Sequence, residues 1–324
     1  MTKRDLLALE DWSQEEVDGV LELARRVKRG EVAGGLERRI LGLVFLTPDE
    51  PGRVSLETAM FLHGGIAVAL EQGNGEHIVD TARMLGRMTD AVALRSSPSE
   101  GDWGLARQDS VLRDFARACP KPVINLGSAR RHPCQALADT LTLQEQLGRV
   151  EGKRFVLTWG WDPQPLSTAV PVSAALAAAR LGMEIVIARP EGYELDPEDT
   201  ALVRKTAQQA GGEFVHISDD PDDALVGADA VYVASWGSVK LFGQAKLEQE
   251  ARAGLRDWRL TPSRLRSTRG GKGAVLHAYP YRRNGSIDDK VLESSNAAVL
   301  DQAENRLHVQ RAVLLELLRE AKQR

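Results

Sequence analysis

Cysteine is scarce in this sequence, with only Cys119 and Cys134 among 324 residues. Two cysteines cannot form a disulfide framework or a thiolate metal cluster. Their scarcity fits a protein that works in a reducing compartment. We therefore expect no metal site and no stabilising disulfide.

Long apolar runs are also missing. No run reaches the ~20 apolar residues that a helix needs to cross a bilayer. The alanine-rich residues 169–181 contain Pro171, Ser173 and Arg180, and they predict a buried helix instead. The N-terminal residues lead into no apolar stretch, so we expect no signal peptide and a cytoplasmic protein.

The chain has no excess of positive charge. It carries 42 Lys+Arg against 46 Asp+Glu, which gives a net charge of -4 and a pI near 6.0. Proteins that bind nucleic acid usually carry a basic patch and a high pI. Basic runs such as residues 25–29 are followed by acids, which is typical of solvated helix faces. We therefore expect neither nucleic acid nor a membrane as a partner.

Short β-rich runs alternate with helix-length segments along almost the whole chain. The predicted strands are residues 40–46, 66–70, 91–95, 123–126, 155–159, 184–188, 213–217, 230–234 and 274–277. The clearest predicted helices are residues 13–29, 103–117, 133–147, 197–209 and 304–324. This alternation predicts an α/β protein with parallel sheets that are covered by helices on both faces.

The predicted elements form two domains in series, which a hydrophobic content of 43% allows. The first domain is predicted to span residues 1–148 and the second residues 149–302. A polar hinge at residues 148–153 separates them. The last helix, residues 303–324, is expected to pack back on the first domain with Leu307, Leu314, Leu318 and Ala321 on its apolar face.

His132 and Gln135 follow the fourth predicted strand. Pro133 suits the first turn of a helix, and the two polar side chains, three residues apart, would project from the helix start together. A histidine donor and an amide at the positive end of a helix could polarise a carbonyl oxygen and hold an anion. A capped helix with a surface histidine explains the same residues.

Three further groups of residues could bind anions beyond the carboxyl ends of strands. Arg95 ends the third strand, Arg282 and Arg283 follow the ninth, and Arg306 lies in the last helix. Arginines at strand ends can clamp a carboxylate or a phosphate. Each of them could equally form a salt bridge or lie in a solvated basic turn.

The loop after the fifth strand carries Pro163 and Pro165 where a dinucleotide-binding protein would carry glycines. Without those glycines the backbone cannot cradle a pyrophosphate, so nicotinamide binding is not expected.

Taken together, these segments resemble the aspartate/ornithine carbamoyltransferase family along nearly the whole chain. His132-Pro133 with Gln135 is similar to the carbamoyl-binding motif of the family. His277 and Pro280 with residues 282–284, and residues 304–308, are similar to two further family motifs. Cys134, the Pro163/Pro165 loop and Ser235-Trp236-Gly237 resemble the branch that acts on N-acetylornithine and N-succinylornithine.

The resemblance implies transfer of a carbamoyl group from carbamoyl phosphate to the side-chain amine of an N-acylated ornithine, in arginine biosynthesis. It implies no cofactor, a backbone knot in the second domain and a homotrimer. It assigns Arg53, Arg95, His132, Gln135 and Arg306 to carbamoyl phosphate, with His132, Arg95 and Arg53 as the catalytic residues. The substrate-binding residues that it implies are Arg282, Ser167 and Trp236.

The sequence departs from the family pattern after the first strand. The family binds phosphate there with a Ser-x-Arg-Thr-Arg loop, and this chain has residues 47–55 with Asp49, Glu50 and Pro51, of which only Arg53 matches. Two carboxylates within ~5 Å of a phosphate would repel it by several kcal/mol. Ala234 stands where the acylornithine branch carries a substrate-binding lysine, and Ser286 replaces another functional lysine. The loop at residues 72–76 is shorter than the corresponding loop of the family.

Two alternatives to acylornithine carbamoylation follow from these departures. One is a catalytically inactive homologue that serves as a binding or regulatory subunit. The other is a transferase with a less anionic donor or a different amine.

Overall fold

The computed structural model of the chain describes residues 3–70, 76–98, 100–212 and 215–318. The chain folds as two units. The first comprises Met1–Pro98, Leu105–Ala138 and Glu304–Arg324, and the second comprises Ser99–Gly104 and Asp139–Ala303. The loop predicted at residues 72–76 lies mostly outside the described residues.

The first unit contains a four-stranded sheet in the order β2-β1-β3-β4. All of its pairings are parallel. Its strands are β1 (Ile40–Phe45), β2 (Ile66–Leu70), β3 (Ala91–Arg95) and β4 (Val123–Asn125). Because β1 and β3 are buried almost throughout, the apolar runs read from the sequence are the core of this unit.

The second unit contains a five-stranded sheet in the order β7-β6-β5-β8-β9, again parallel throughout. Its strands are β5 (Arg154–Trp159), β6 (Glu184–Ala188), β7 (Val215–Ser218), β8 (Ala230–Ala234) and β9 (Ala274–Leu276). Side chains alternate between two apolar clusters, with Phe155 and Leu157 in one and Val156 in the other. Both faces of this sheet are therefore covered, which confirms the predicted α/β class with parallel sheets.

The helices follow the strands in alternation. In chain order they are α1 (Gln14–Lys28), α2 (Glu50–Leu62), α3 (Ile78–Met88), α4 (Trp103–Ala106), α5 (Ser110–Ala118), α6 (Pro133–Leu147), α7 (Ala169–Arg180), α8 (Pro197–Gln209), α9 (Pro221–Ala224), α10 (Ala245–Ala253), α11 (Pro262–Ser267), α12 (Asp289–Leu292) and α13 (Val299–Leu318). α1 begins with a capping box, in which Ser13 and Glu16 each accept from the backbone N–H of the other. Such local signals explain why its predicted bounds, residues 13–29, are within one residue of those observed.

The single helix predicted at residues 103–117 is wrong. Asp109 takes a left-handed conformation with φ of 50° and separates α4 from α5. Its carboxylate accepts hydrogen bonds from the Ser128 hydroxyl at 2.8 Å and from the Ala129 N–H at 2.9 Å. These long-range contacts outweigh the local helix preference, because they give hydrogen-bond partners to polar groups that would otherwise be buried without one.

The predicted start of the last helix is also wrong, because α13 begins at Val299. Of its predicted apolar face, Leu314 and Leu318 are buried and Leu307 is half-buried, while Ala321 lies outside the described residues. The part from Glu304 to Leu318 lies in the first unit.

Arg252 of α10 is a fully buried cation in the second unit. Its Nη1 lies 2.8 Å from Oε1 of Glu248. It also donates hydrogen bonds to Ser235 and to the carbonyl oxygens of Asp162 at 2.8 Å and Trp236 at 3.1 Å. Its guanidinium carbon lies 4.8 Å from the ring centroid of Trp159. One side chain thus joins the loops that follow β5 and β8 to α10.

We expect Arg252→Met to lower the free energy of unfolding by about 3–5 kcal/mol, because the Glu248 carboxylate would stay buried without its partner. Urea unfolding followed by tryptophan fluorescence measures the change, since Trp159 and Trp236 lie in this unit. Arg83→Met removes an exposed ion pair with Asp80 and should cost less than about 1 kcal/mol. Equal effects of the two variants would contradict this expectation.

Candidate active site

The carboxyl ends of β1, β3 and β4 meet at one edge of the first sheet, because the strands are parallel. Residues 47–49 follow β1, Arg95 ends β3, and residues 126–132 follow β4. Side chains from these segments therefore converge where parallel sheets usually bind ligands.

Arg95 and His132 approach each other across Gly127. Nη1 of Arg95 donates to the carbonyl oxygen of Leu126 at 3.0 Å. Gly127 has a φ of 134°, and a Cβ at this residue would lie 2.8 Å from Nη1 of Arg95 and 3.4 Å from Cδ2 of His132. Glycine at this position leaves the space that both side chains occupy.

His132 is buried and electrically neutral. The backbone N–H of Gln135 points at its Nδ1 at 3.3 Å, which leaves the ring proton on Nε2. Burial lowers the pKa of His132 well below its ordinary value, and the positive charges of Arg306 and Arg95 lower it further. The ring therefore offers a neutral N–H donor at neutral pH.

Arg306 of α13 completes this cluster in the first unit. Its Nη2 lies 2.9 Å from Oδ2 of Asp49, and both side chains are less than 10% exposed, at 8% and 7%. The same carboxylate oxygen lies 3.3 Å from Nη1 of Arg95. Asp49 thus bridges two arginines that sequence reasoning had assigned to carbamoyl phosphate.

Asp49 is also the N-cap of α2. Its Oδ1 accepts from the backbone N–H of Gly52 at 3.0 Å. A Cβ at Gly52 would lie 2.2 Å from Oδ2 of Asp49 and 2.6 Å from Nη2 of Arg306, so only glycine admits this arrangement. Burial opposes ionisation of Asp49, but Arg306, Arg95 and the Gly52 N–H together lower the pKa of its carboxyl below the ordinary value.

The other residues predicted around the anion lie differently. Glu50 is exposed. Arg53 is 47% exposed, and its Nε donates to Oε1 of Glu57 at 2.8 Å. Gln135 is buried in the first turn of α6, beside His132. Of the two acids after β1, only Asp49 faces the arginines. The role of Arg53 in phosphate binding stays a prediction.

The residues predicted to bind the amino-acid substrate lie in the second unit. Arg282 is 59% exposed, and its Nε lies 3.5 Å from Oδ1 of Asp162. The Ser167 hydroxyl accepts from the backbone N–H of Ala169 at 3.1 Å, at the start of α7. Trp236 is fully buried, and its indole N–H donates to the Tyr193 carbonyl oxygen at 2.8 Å. Contact of these three residues with a substrate stays a prediction.

Sequence reasoning missed Asp162 and Arg252. Asp162 belongs to the proline-containing loop after β5, where the prolines are the recognisable pattern and a single aspartate carries no distinctive signal. Arg252 follows Glu248 by four residues, a spacing that indicates an ion pair on a helix but not its burial. A fully buried pair depends on tertiary packing that no local pattern reveals.

Among the described residues, no group of three or more His, Cys, Asp or Glu side chains could hold a metal ion. Within that same part of the chain, no helix is both long enough and apolar enough to cross a membrane.

Both halves of the chain match one known family. Residues 4–145 match the carbamoyl-P binding domain of aspartate/ornithine carbamoyltransferase, and residues 157–317 match its Asp/Orn binding domain. The match covers most of the chain and includes every residue of the cluster around Asp49.

Curated relatives and solved structures agree with this match. N-acetylornithine carbamoyltransferase of Xanthomonas campestris pv. campestris is 36% identical over 338 residues, covering 98% of each chain. Ornithine carbamoyltransferase of Archaeoglobus fulgidus is 36% identical over 325 residues, covering 97% of each chain.

Among solved structures, a mutant of N-acetyl-L-ornithine transcarbamylase complexed with carbamyl phosphate and N-succinyl-L-norvaline has a TM-score of 0.93 at 36% identity. That alignment covers 97% of this chain and 99% of the other. Sequence and structure therefore agree over nearly the full length, and the chain belongs to the aspartate/ornithine carbamoyltransferase family.

Proposed function

We propose that this protein transfers a carbamoyl group from carbamoyl phosphate to the side-chain amine of an N-acylated ornithine, as a step of arginine biosynthesis. The observation that carries the proposal is the convergence of Arg95, Arg306 and the neutral N–H donor of His132 at one sheet edge. Relatives named N-acetylornithine carbamoyltransferase support the acylated substrate.

The proposed reaction needs donors on a carbonyl oxygen more than it needs a covalent nucleophile. When an amine attacks the carbamoyl carbon, negative charge develops on the carbonyl oxygen and phosphate leaves. A neutral Nε2–H of His132 and the guanidinium of Arg95 can stabilise that charge without titrating themselves. Gln135 would hold the carbamoyl nitrogen, and Arg306 and Arg53 would bind the phosphate.

We further propose that the second unit binds the amino-acid substrate through Arg282, Ser167 and the segment around Trp236. The family description of residues 157–317 as an Asp/Orn binding domain supports this assignment. Within this unit, the backbone of Leu166 pairs with Ser235 and Gly237 at 2.8 and 3.0 Å. The proline-containing loop thus lies against the end of β8, where a backbone knot is predicted.

We also propose that the protein is a cytoplasmic homotrimer. The two buried free thiols, Cys119 and Cys134, suit a reducing compartment. Exposed apolar side chains on neighbouring elements suit an oligomer, because monomers seldom expose large apolar patches. On α2 and the edge strand β2 these side chains are Val54, Phe61, Leu62, Ile66 and Val68, which are 46–79% exposed.

The proposed reaction is tested by measuring the carbamoylated product from radiolabelled carbamoyl phosphate with N-acetylornithine, N-succinylornithine or ornithine. We expect product with an acylated ornithine. His132→Asn should lower kcat about 100- to 1,000-fold, because it removes a donor to the developing oxyanion.

His216→Asn is the matched control, because His216 is exposed on β7 and the substitution is the same. It should leave kcat unchanged. No product at high enzyme concentration would favour the alternative of an inactive binding or regulatory subunit. Product with unmodified ornithine alone would contradict the acylated substrate.

The proposed oligomer is tested by light scattering on the purified protein. We expect a trimer, and we expect the double variant Phe61→Glu, Val68→Lys to shift it toward monomer, because charges would be buried in the interface. Val226→Glu alters an apolar side chain that is 54% exposed in the second unit and should leave the mass unchanged. A monomeric native protein would refute the trimer.

A further inference from the structure

The arginine pair of the first unit already holds an anion from its own chain. Oδ2 of Asp49 lies 2.9 Å from Nη2 of Arg306 and 3.3 Å from Nη1 of Arg95. The carboxylate is 7% exposed, so water screens this interaction little. A carboxylate of the same chain therefore occupies the space between the two guanidinium groups.

Asp49 is held there by more than its charge. Its second carboxylate oxygen caps α2 through Gly52, and the missing Cβ of Gly52 provides the space that the carboxylate fills. The capping bond and the glycine fix the side chain at the start of a helix that faces the arginines. A rotation away from them would give up both the cap and two ion pairs.

The cluster can nevertheless bind a further hydrogen-bond acceptor. Two guanidinium groups, one carboxylate and a neutral imidazole leave about one unit of positive charge. Nε of Arg95 and Nε of Arg306 are buried and have no hydrogen-bond partner among the described residues. Arg306 is itself more than nine-tenths buried, so these donors are available only to a ligand that enters the cluster.

We propose that Asp49 determines the charge of the donor that this site accepts, by acting as an internal anion that competes with a doubly charged phosphate for Arg95 and Arg306. With Asp49 in place, the site binds singly charged anions and holds dianions weakly. A dianionic donor must either displace the Asp49 carboxylate from the arginines or bind despite its repulsion. The competition is inferred from the geometry of the cluster. Only the identification of the donor as carbamoyl phosphate rests on the function proposed above.

Calorimetry of anion binding to the full chain tests this competition. Sulfate serves as the dianion and nitrate as the monoanion, because neither changes charge near neutral pH. Asp49→Asn removes the charge but keeps a good N-cap residue for α2. The repulsion energy between Asp49 and a bound anion doubles when the charge of the anion doubles. The factor by which Asp49→Asn raises the affinity for a monoanion should therefore be squared for a dianion. We expect affinity to rise about fivefold for nitrate and about 25-fold for sulfate.

Glu50→Gln is the matched control. It removes the same charge from the adjacent residue, which is exposed, and should raise sulfate affinity less than about threefold because solvent screens it. Equal gains in the two variants would show a long-range charge effect and would overturn the role of Asp49. Unchanged sulfate affinity in Asp49→Asn, or a nitrate gain as large as the sulfate gain, would overturn it too.

Thermal unfolding keeps the test decisive if Asp49→Asn is less stable. Sulfate should raise the unfolding midpoint of this variant more than that of the native chain, because ligand binding stabilises the folded state by mass action. An equal rise in both proteins would contradict the competition. Sulfate binding requires no carbamoyl transfer, so loss of the proposed activity and loss of this inference are distinguishable.

Discussion

The ion pairs of Asp49 with Arg95 and Arg306 are the constraint on which the first unit's site depends. They join the loop after β1, the end of β3 and α13, three segments that are far apart in the sequence. Buried charges are costly without partners, so the Asp49 carboxylate holds both arginines in place and is held by them. Burial and, after it, the same positive charges lower the pKa of His132, so its ring is neutral and has one N–H donor.

The second unit uses a buried cation in a comparable way. Arg252 donates to backbone carbonyl oxygens in the loops after β5 and β8 and pairs with Glu248. These loops contain Ser167 and Trp236, two of the three residues predicted to bind the substrate, so the contacts of Arg252 help to position them. Each unit thus orders the loops at the carboxyl ends of its strands through arginines that are mostly removed from solvent.

Much of the fold followed from the sequence. The strands observed at Ala91–Arg95 and Ala230–Ala234 have the bounds that their apolar runs predicted. Burial on both faces of a parallel sheet demands such runs, so the pattern is strong. The family was also readable from His132, Gln135 and the residues around Arg306, since short motifs at strand ends and helix starts survive in order along the chain.

The sequence by itself determined the succession of strands and helices along the chain, the two α/β units and the residue types available at each strand end. Only the tertiary structure decided which of those residues meet. Asp49 and Glu50 are equally acidic neighbours, yet only the N-cap geometry of α2 turns Asp49 toward the arginines. Likewise Asp109 breaks a predicted helix because of its contact with Ser128. Such choices depend on partners distant in sequence, whose positions no local pattern contains.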